Sequence, residues 1–190
     1  MSASTAAGPL HTFDTAIDRR IDALRGHRIV DVTFYTLTAL ADHSILWMLI
    51  AGVQALSARS RRRALLTIAA LGLESVLVNG VVKSVFHRDR PIDRDHPHPL
   101  GLRYPRTSSF PSGHASAAFA AAMLLGRTPA QRRSLLPLAG AVALSRIYVR
   151  IHHTSDVLGG IAVGLAYGTF ARRLIEHLEP GDARRGRRRG

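Results

Sequence analysis

From residue 44 onward the chain alternates between apolar stretches and short basic clusters, with one long polar interruption. The apolar stretches run over about residues 44–58, 64–82, 112–126, 134–148 and 155–170, and each predicts a membrane helix. The second is near the roughly 20 residues that cross a hydrocarbon core, and it carries Glu74 and Asn79. Both are costly in lipid and are expected to face the bundle interior, Glu74 in a hydrogen-bonded structural role in preference to a catalytic one. The last stretch places Gly160, Gly164 and Gly168 at intervals of four. That spacing puts small residues on one helix face and predicts the close approach of a neighbouring helix.

The N-terminal part is patterned differently. Residues 1–10 read as disordered. Ile17, Ile21 and Leu24 then recur at helical spacing among Asp18, Arg19, Arg20 and Asp22. They predict an amphipathic helix over residues 14–24, lying on a membrane surface or packed on the domain. Residues 29–41 are apolar but short, an interfacial or partly embedded helix. Residues 87–110, rich in Pro, His, Arg and Asp, form the one long loop.

A length of 190 residues predicts one domain, divided into an N-terminal segment over 1–28, a membrane-embedded domain over 29–178 and a basic tail over 179–190. A net charge of +13 would by itself suit nucleic-acid binding, but 46% hydrophobic residues and a mean hydropathy of +0.06 argue against a simple soluble basic protein. The charge is also clustered, at Arg59 and Arg61 to Arg63, at Arg127, Arg132 and Arg133, at Arg172 and Arg173, and in the Arg-rich tail. If the first cluster lies inside, every basic turn falls on one side of the membrane and the polar motifs described next fall on the other. The positive-inside rule then puts those motifs on the extracytoplasmic face of the plasma membrane. The long loop has arginines of its own (Arg88, Arg90, Arg94, Arg103, Arg106), an excess attributed to an anionic substrate. Cysteine is absent, which excludes disulfides, thiolate chemistry and Cys-ligated zinc. No His-Glu-x-x-His pattern is present, and no cleaved signal peptide is expected.

Three segments carry the chemistry: Lys83-x6-Arg90-Pro91, Phe110-Pro111-Ser112-Gly113-His114, and Ser145-Arg146-x5-His152-x3-Asp156. Lys83 and Arg90 would share one side if the helix continued for two turns, with Pro91 launching the loop. The plainer explanation is a basic helix end snorkelling to lipid phosphates. Ser112 is placed to cap an Ala-rich helix whose first amides form an anion site, and Gly113 lets the backbone approach a phosphate. A plain Ser cap followed by an incidental His is the alternative. Arg146 can bind phosphate oxygens as a bidentate fork. Asp156 stands four residues beyond His152, so a carboxylate can accept one imidazole N–H and leave the other nitrogen as a nucleophile. His153 competes for that role. Together the segments supply three cations, two imidazoles, a carboxylate and a Ser-Gly turn, an inventory suited to phosphoryl transfer.

At these residues the chain resembles the type-2 phosphatidic acid phosphatase family, which shares its active site with vanadium haloperoxidases; the resemblance covers roughly residues 43–170. It implies an all-α polytopic membrane helix bundle with its active site at the extracytoplasmic face. It selects His152 as the nucleophile that forms a phosphohistidine, leaving His153 structural. His114 would protonate the leaving oxygen and then help activate water. Asp156 would orient His152, and Lys83, Arg90, Ser112, Gly113 and Arg146 would hold the phosphate oxygens. No metal and no other cofactor is implied. The expected activity is a metal-independent lipid phosphate phosphatase acting on a polyprenyl phosphate or diphosphate carrier or its phosphosugar derivative, with phosphatidic acid or phosphatidylglycerophosphate as the alternative substrate. A vanadate-dependent haloperoxidase and a non-enzymatic basic membrane or nucleic-acid binder are the rival classes. The expected partners are the lipid substrate and the bilayer and not nucleic acid, and the sequence leaves the oligomeric state open.

Overall fold

The computed structural model describes residues 8–58, 60–91 and 107–179. Residues 1–7, Arg59, residues 92–106 and the tail from residue 180 lie outside them. Among the described residues the regular structure is entirely helical. Helix α1 spans Pro9–Asp22 and α2 Arg28–Leu40. A 3₁₀ turn over Asp42–Ser44 leads into α3, Ile45–Ala55. Helix α4 spans Arg61–Val85 and contains a π-helical stretch over Leu77–Val82. Then come α5 (Gly113–Leu125), α6 (Pro129–Tyr148) and α7 (Thr154–Leu178).

Alanine makes α5 the axis of the bundle. Ala115, Ala117, Ala118, Ala120, Ala121 and Ala122 are all buried, together with Leu124 and Leu125. Small side chains around the whole helix let its neighbours come close on every side. The predicted glycine stripe of α7 is what meets it. A Cβ added at Gly160 would run into the Ser112 carbonyl, one at Gly164 into the Ser116 carbonyl, and one at Gly168 would lie 2.9 Å from Ala120 Cα. The two backbones are therefore in contact, and this contact sets the second and third motifs side by side.

The predicted interior position of Glu74 is also observed. It is buried on α4 and accepts a hydrogen bond from the Ser116 hydroxyl of α5. Asn79 is exposed overall, with its amide held by Ser75. Outward-facing apolar residues cover α3, α4 and α7, including Leu49, Val53, Leu73, Val76, Val81, Leu158 and Phe170. Such a belt on a bundle this small is a lipid-facing surface. By length and composition α4 alone can cross a bilayer, and α2 with α3, bent by 62°, can form a second span. The polar ends and arginines of α6 and α7 keep them below that threshold, and α5 is apolar but short.

Two expectations need correction, and one that the sequence left open is decided. Residues 9 and 10 are not disordered, because α1 begins at Pro9, whose fixed φ suits a first helical position. Helix α1 is packed on the bundle: Ile21 is buried, and Arg25 donates to the Ile147 and Tyr148 carbonyls at 2.9 Å each. The helix carrying Lys83 does not continue to Arg90. It ends at Val85, and Phe86 is extended. The outgoing strand is instead pinned to the returning end of the loop, by Phe86 against Phe110 (ring centroids 4.8 Å apart) and by the Ser109 amide on the Arg88 carbonyl.

Candidate active site

The three motifs converge at one end of α5. Ser112 caps the helix, its Oγ accepting from the Ala115 amide at 3.4 Å, while its own amide donates to the Asp156 carbonyl at 2.9 Å. The second motif is thus joined through its backbone to the third. A cavity of about 200 Å³ opens beside this helix start. Lys83, Arg90, Gly113, His114, Arg146 and His152 line it, so six of the eight residues expected from sequence share one cavity. Ser112 and Asp156 are fully buried and do not line it. Gly113 faces α4, where a Cβ would lie 2.8 Å from Asn79 Oδ1.

Arg90 is fixed by several carbonyls. Its Nε donates to Thr107 O at 3.1 Å and Nη2 to Ser108 O at 3.0 Å. Its Nη1 donates to Ile151 O and lies 3.1 Å from His152 Nε2. A guanidinium has only donors, so Nε2 must be the unprotonated nitrogen and Nδ1 carries the hydrogen. That hydrogen faces Asp156: Nδ1 and Oδ2 are 3.7 Å apart, an ion-pair distance longer than a hydrogen bond. Burial is the main cause that pushes the His152 imidazole down to about 3; Asp156 opposes the shift and Arg90, Arg146 and Lys83 add to it. His152 is consequently neutral at physiological pH, with its Nε2 lone pair directed at Arg90.

His152 follows a tight exit from α6. The His152 and Ile151 amides both donate to the Arg146 carbonyl at 3.2 Å, and Arg150 turns the chain with φ 51°. Neither histidine of the pair is helical: α7 begins at Thr154, after His153. The His153 backbone amide donates to Asp156 Oδ2 at 2.9 Å. Arg146, also buried, donates from Nη1 to Thr38 Oγ1 of α2 at 2.6 Å. Lys83 is buried and lines the cavity, so it does not snorkel to a lipid surface.

Several contributors escaped the sequence reading. Asp42, on the 3₁₀ turn, places Oδ1 3.3 Å from His114 Nε2 and also lines the cavity. Arg88 donates from Nη1 to Asp156 Oδ1 at 2.6 Å and from Nη2 to Asp14 Oδ2 at 2.7 Å. Arg88 lies inside the Lys83-x6-Arg90 spacing and was read there as loop charge. Asp14 had a visible signal: it shares one face of α1 with Ile17 and Ile21, an acid where an apolar residue was due.

The basic turns gather at the opposite end of the bundle. Arg63 lies 3.9 Å from Glu176 and 3.8 Å from Glu179, and Arg172 pairs with Glu176 at 2.8 Å. Separation of catalytic and basic ends, expected from the alternation of the sequence, is thus present among the described residues.

Comparison with known proteins agrees with this geometry. The decaprenylphosphoryl-5-phosphoribose phosphatase of Mycobacterium tuberculosis is 33% identical over 135 residues, 70% of this chain and 74% of that protein. Undecaprenyl-diphosphatase BcrC of Bacillus subtilis is 25% identical over 80% of this chain and 76% of its own length. Among solved structures, the transmembrane PAP2-type phosphatidylglycerolphosphate phosphatase of Bacillus subtilis superposes with a TM-score of 0.71 at 25% identity, covering 95% of this chain and 90% of that one. LpxE of Aquifex aeolicus gives 0.68 at 26% identity, covering 91% and 99%. The solved relatives place this helix bundle in the membrane. The family model of the PAP2 superfamily matches residues 63–179, more than half of the sequence, and the chain belongs to that superfamily.

Proposed function

We propose that this protein hydrolyses the phosphate of a polyprenyl-linked lipid, a phosphosugar derivative or the diphosphate, without a metal ion and through a phosphohistidine on His152. The observation that carries the reading is the Nε2 lone pair of His152 held 3.1 Å from Arg90 in a cavity that Lys83 and Arg146 also line. The relatives named for decaprenylphosphoryl-5-phosphoribose and undecaprenyl diphosphate support the polyprenyl choice.

In this mechanism the cations take up the phosphate oxygens, and Arg90 turns from Nε2 to an oxygen of the incoming group. Nε2 attacks phosphorus in line. The N–P bond forms as the P–O bond to the lipid breaks, and His114, protonated once the anionic phosphate is seated beside it, donates that proton to the departing oxygen. Water then attacks phosphorus, His114 receives its proton, the N–P bond breaks and inorganic phosphate leaves. Asp156 keeps the Nδ1 hydrogen on its side throughout and stabilises the charge on the imidazole during attack. Fixed cations supply the charge that a divalent ion supplies in many phosphoryl transferases. The α5 N-terminus adds its dipole, with Ser112 acting as the cap.

Phosphate release from purified lipid phosphates in detergent, with and without EDTA, tests the reading. Hydrolysis of polyprenyl-linked substrates that persists in chelator supports it; an absolute magnesium requirement would remove the mechanism. Preference for phosphatidylglycerophosphate would favour the activity named for the structural neighbour. The orientation belongs to the same proposal: the catalytic end faces outward and the arginine end inward. A single cysteine placed within 92–106 should react with a membrane-impermeant reagent from outside, and one within 128–131 should not.

A further inference from the structure

Helix α1 lies outside the matched family region, yet it reaches the catalytic machinery through Asp14. This carboxylate is 4% exposed, one of two buried residues on the N-terminal helix, the other being Ile21. Its Oδ1 accepts from the Ser155 amide at 2.8 Å. Its Oδ2 accepts from the Ser155 hydroxyl at 2.7 Å and from Arg88 Nη2 at 2.7 Å. The other terminal nitrogen of Arg88 donates at 2.6 Å to both Ser155 Oγ and Asp156 Oδ1. Arg88 is therefore a bridge between two carboxylates, one from α1 and one behind the nucleophile.

A buried carboxylate needs partners, and Asp14 has found them at one point: the first turn of α7, where Asp156 sits. The same helix and the turn after it also grip the end of α6 and the turn that leaves it. Asp22 pairs with Arg150, and Arg25 holds the carbonyls of Ile147 and Tyr148. The segment that carries His152 is thus held at both its ends by α1 and the turn that follows it. With Arg88 drawn to one side by Asp14, its second arm fixes Asp156 Oδ1, while Oδ2 remains for the His153 amide and the Nδ1 side of His152.

We infer that Asp14 is a positioning residue for phosphoryl transfer: acting through Arg88, it sets the orientation of Asp156 and hence of the His152 imidazole. The inference rests on the phosphohistidine reading above. Asp14 does not touch the cavity, so substrate binding should be indifferent to it. What it controls is alignment, and in-line attack is sensitive to alignment at the level of about 1 Å.

The test uses the full chain in detergent and follows phosphoenzyme formation by rapid quench. Asp14→Asn should lower the rate constant of phosphoenzyme formation about 10- to 100-fold, with full burst amplitude and KM within twofold of the parent. A merely structural role would lower the amplitude, through loss of active molecules, and leave the rate constant of the remainder unchanged; that result overturns the inference. Vanadate, which adopts the five-coordinate geometry of the transferring group, should inhibit Asp14→Asn more weakly by a similar factor. Inorganic phosphate, held by the cations, should inhibit equally. In the Arg88→Gln background Asp14→Asn should add little, because the bridge is already gone; additive losses would contradict action through Arg88. Should Asp14→Asn fail to fold, Asp14→Glu is read in the same way. Its extra methylene prevents simultaneous contact with Arg88 and the Ser155 amide, and an unchanged rate constant would sink the inference. If the parent itself forms no phosphoenzyme with any lipid phosphate, the proposed function fails; if the parent reacts and Asp14→Asn matches it, the positioning inference fails alone.

Discussion

Arg90 Nη1 lies 3.1 Å from His152 Nε2, so a permanent cation is in contact with the one atom whose lone pair the mechanism requires. The contact fixes the tautomer in the resting enzyme and places the proposed phosphate ligand beside the proposed nucleophile. A lysine at this position could not donate to Thr107, Ser108 and Ile151 and still reach Nε2, because it lacks the planar fork. Arg90→Lys should therefore lower kcat/KM on the order of 10²–10³-fold, the usual cost of losing a charge-stabilising donor. Steady-state kinetics on a lipid phosphate checks this; a loss within threefold would contradict it.

Burial of His152 makes stability depend on pH in a definite direction. The folded imidazole protonates only near about 3, whereas the unfolded one does so at its ordinary 6.5. Between these values the unfolded chain holds one more proton, so this group costs nothing above 6.5 and destabilises the fold progressively as pH falls below it. The slope approaches about 1.4 kcal/mol per pH unit. Thermal unfolding of the parent and of His152→Ala between pH 4 and 6.5 should show a shallower pH dependence in the variant.

Leaving-group dependence separates the two histidines. His114 lines the cavity with Asp42 3.3 Å from its Nε2, and the task proposed for it is to protonate the departing oxygen. General acid help is worth about 10²–10⁴-fold. The defect of His114→Ala should shrink with an activated substrate such as a nitrophenyl phosphate, while the defect of His152→Ala should not. Equal defects with both substrates would remove the general-acid role.

Much of this was legible in the sequence because it is local. The apolar stretches marked the existence of α3 to α7 and most of their bounds, though α6 starts five residues earlier and α7 runs eight residues further than expected, and the Ser112 cap and the Gly160, Gly164 and Gly168 face follow from helical spacing. What escaped depends on chain segments meeting. Arg88 and Arg90 look alike as loop arginines until the loop folds back on Ser108 and Ser109, which turns one toward His152 and the other toward Asp156. Asp14 and Asp42 belong to a region outside the family match, and only tertiary packing brings each to a histidine or its partner. The continuation of the helix to Arg90, a condition for Lys83 and Arg90 to share one side, does not occur for a related reason: the Phe86–Phe110 contact and the Arg88–Ser109 backbone bond tie the chain leaving Val85 to the returning segment.

The glycine face offers a test of packing independent of chemistry. A methyl at Gly164 would collide with the Ser116 carbonyl on α5, a backbone atom that cannot rotate away. Gly164→Ala should destabilise the protein by about 1–3 kcal/mol, as overpacking usually does, read as a lowered melting temperature in detergent. Gly140→Ala, inside α6, meets nothing within 4 Å and should melt at or slightly above the parent, since Ala is favoured over Gly in a helix interior by about 1 kcal/mol.

The most direct measurement of the central claim is the site of phosphoenzyme labelling. The enzyme is quenched in base during turnover of a lipid labelled in the scissile phosphate, and the labelled peptide is mapped. The account predicts an acid-labile, base-stable phosphohistidine at His152, absent from His152→Ala and retained in His153→Ala. Label on His153, or full turnover by His152→Ala, would contradict it.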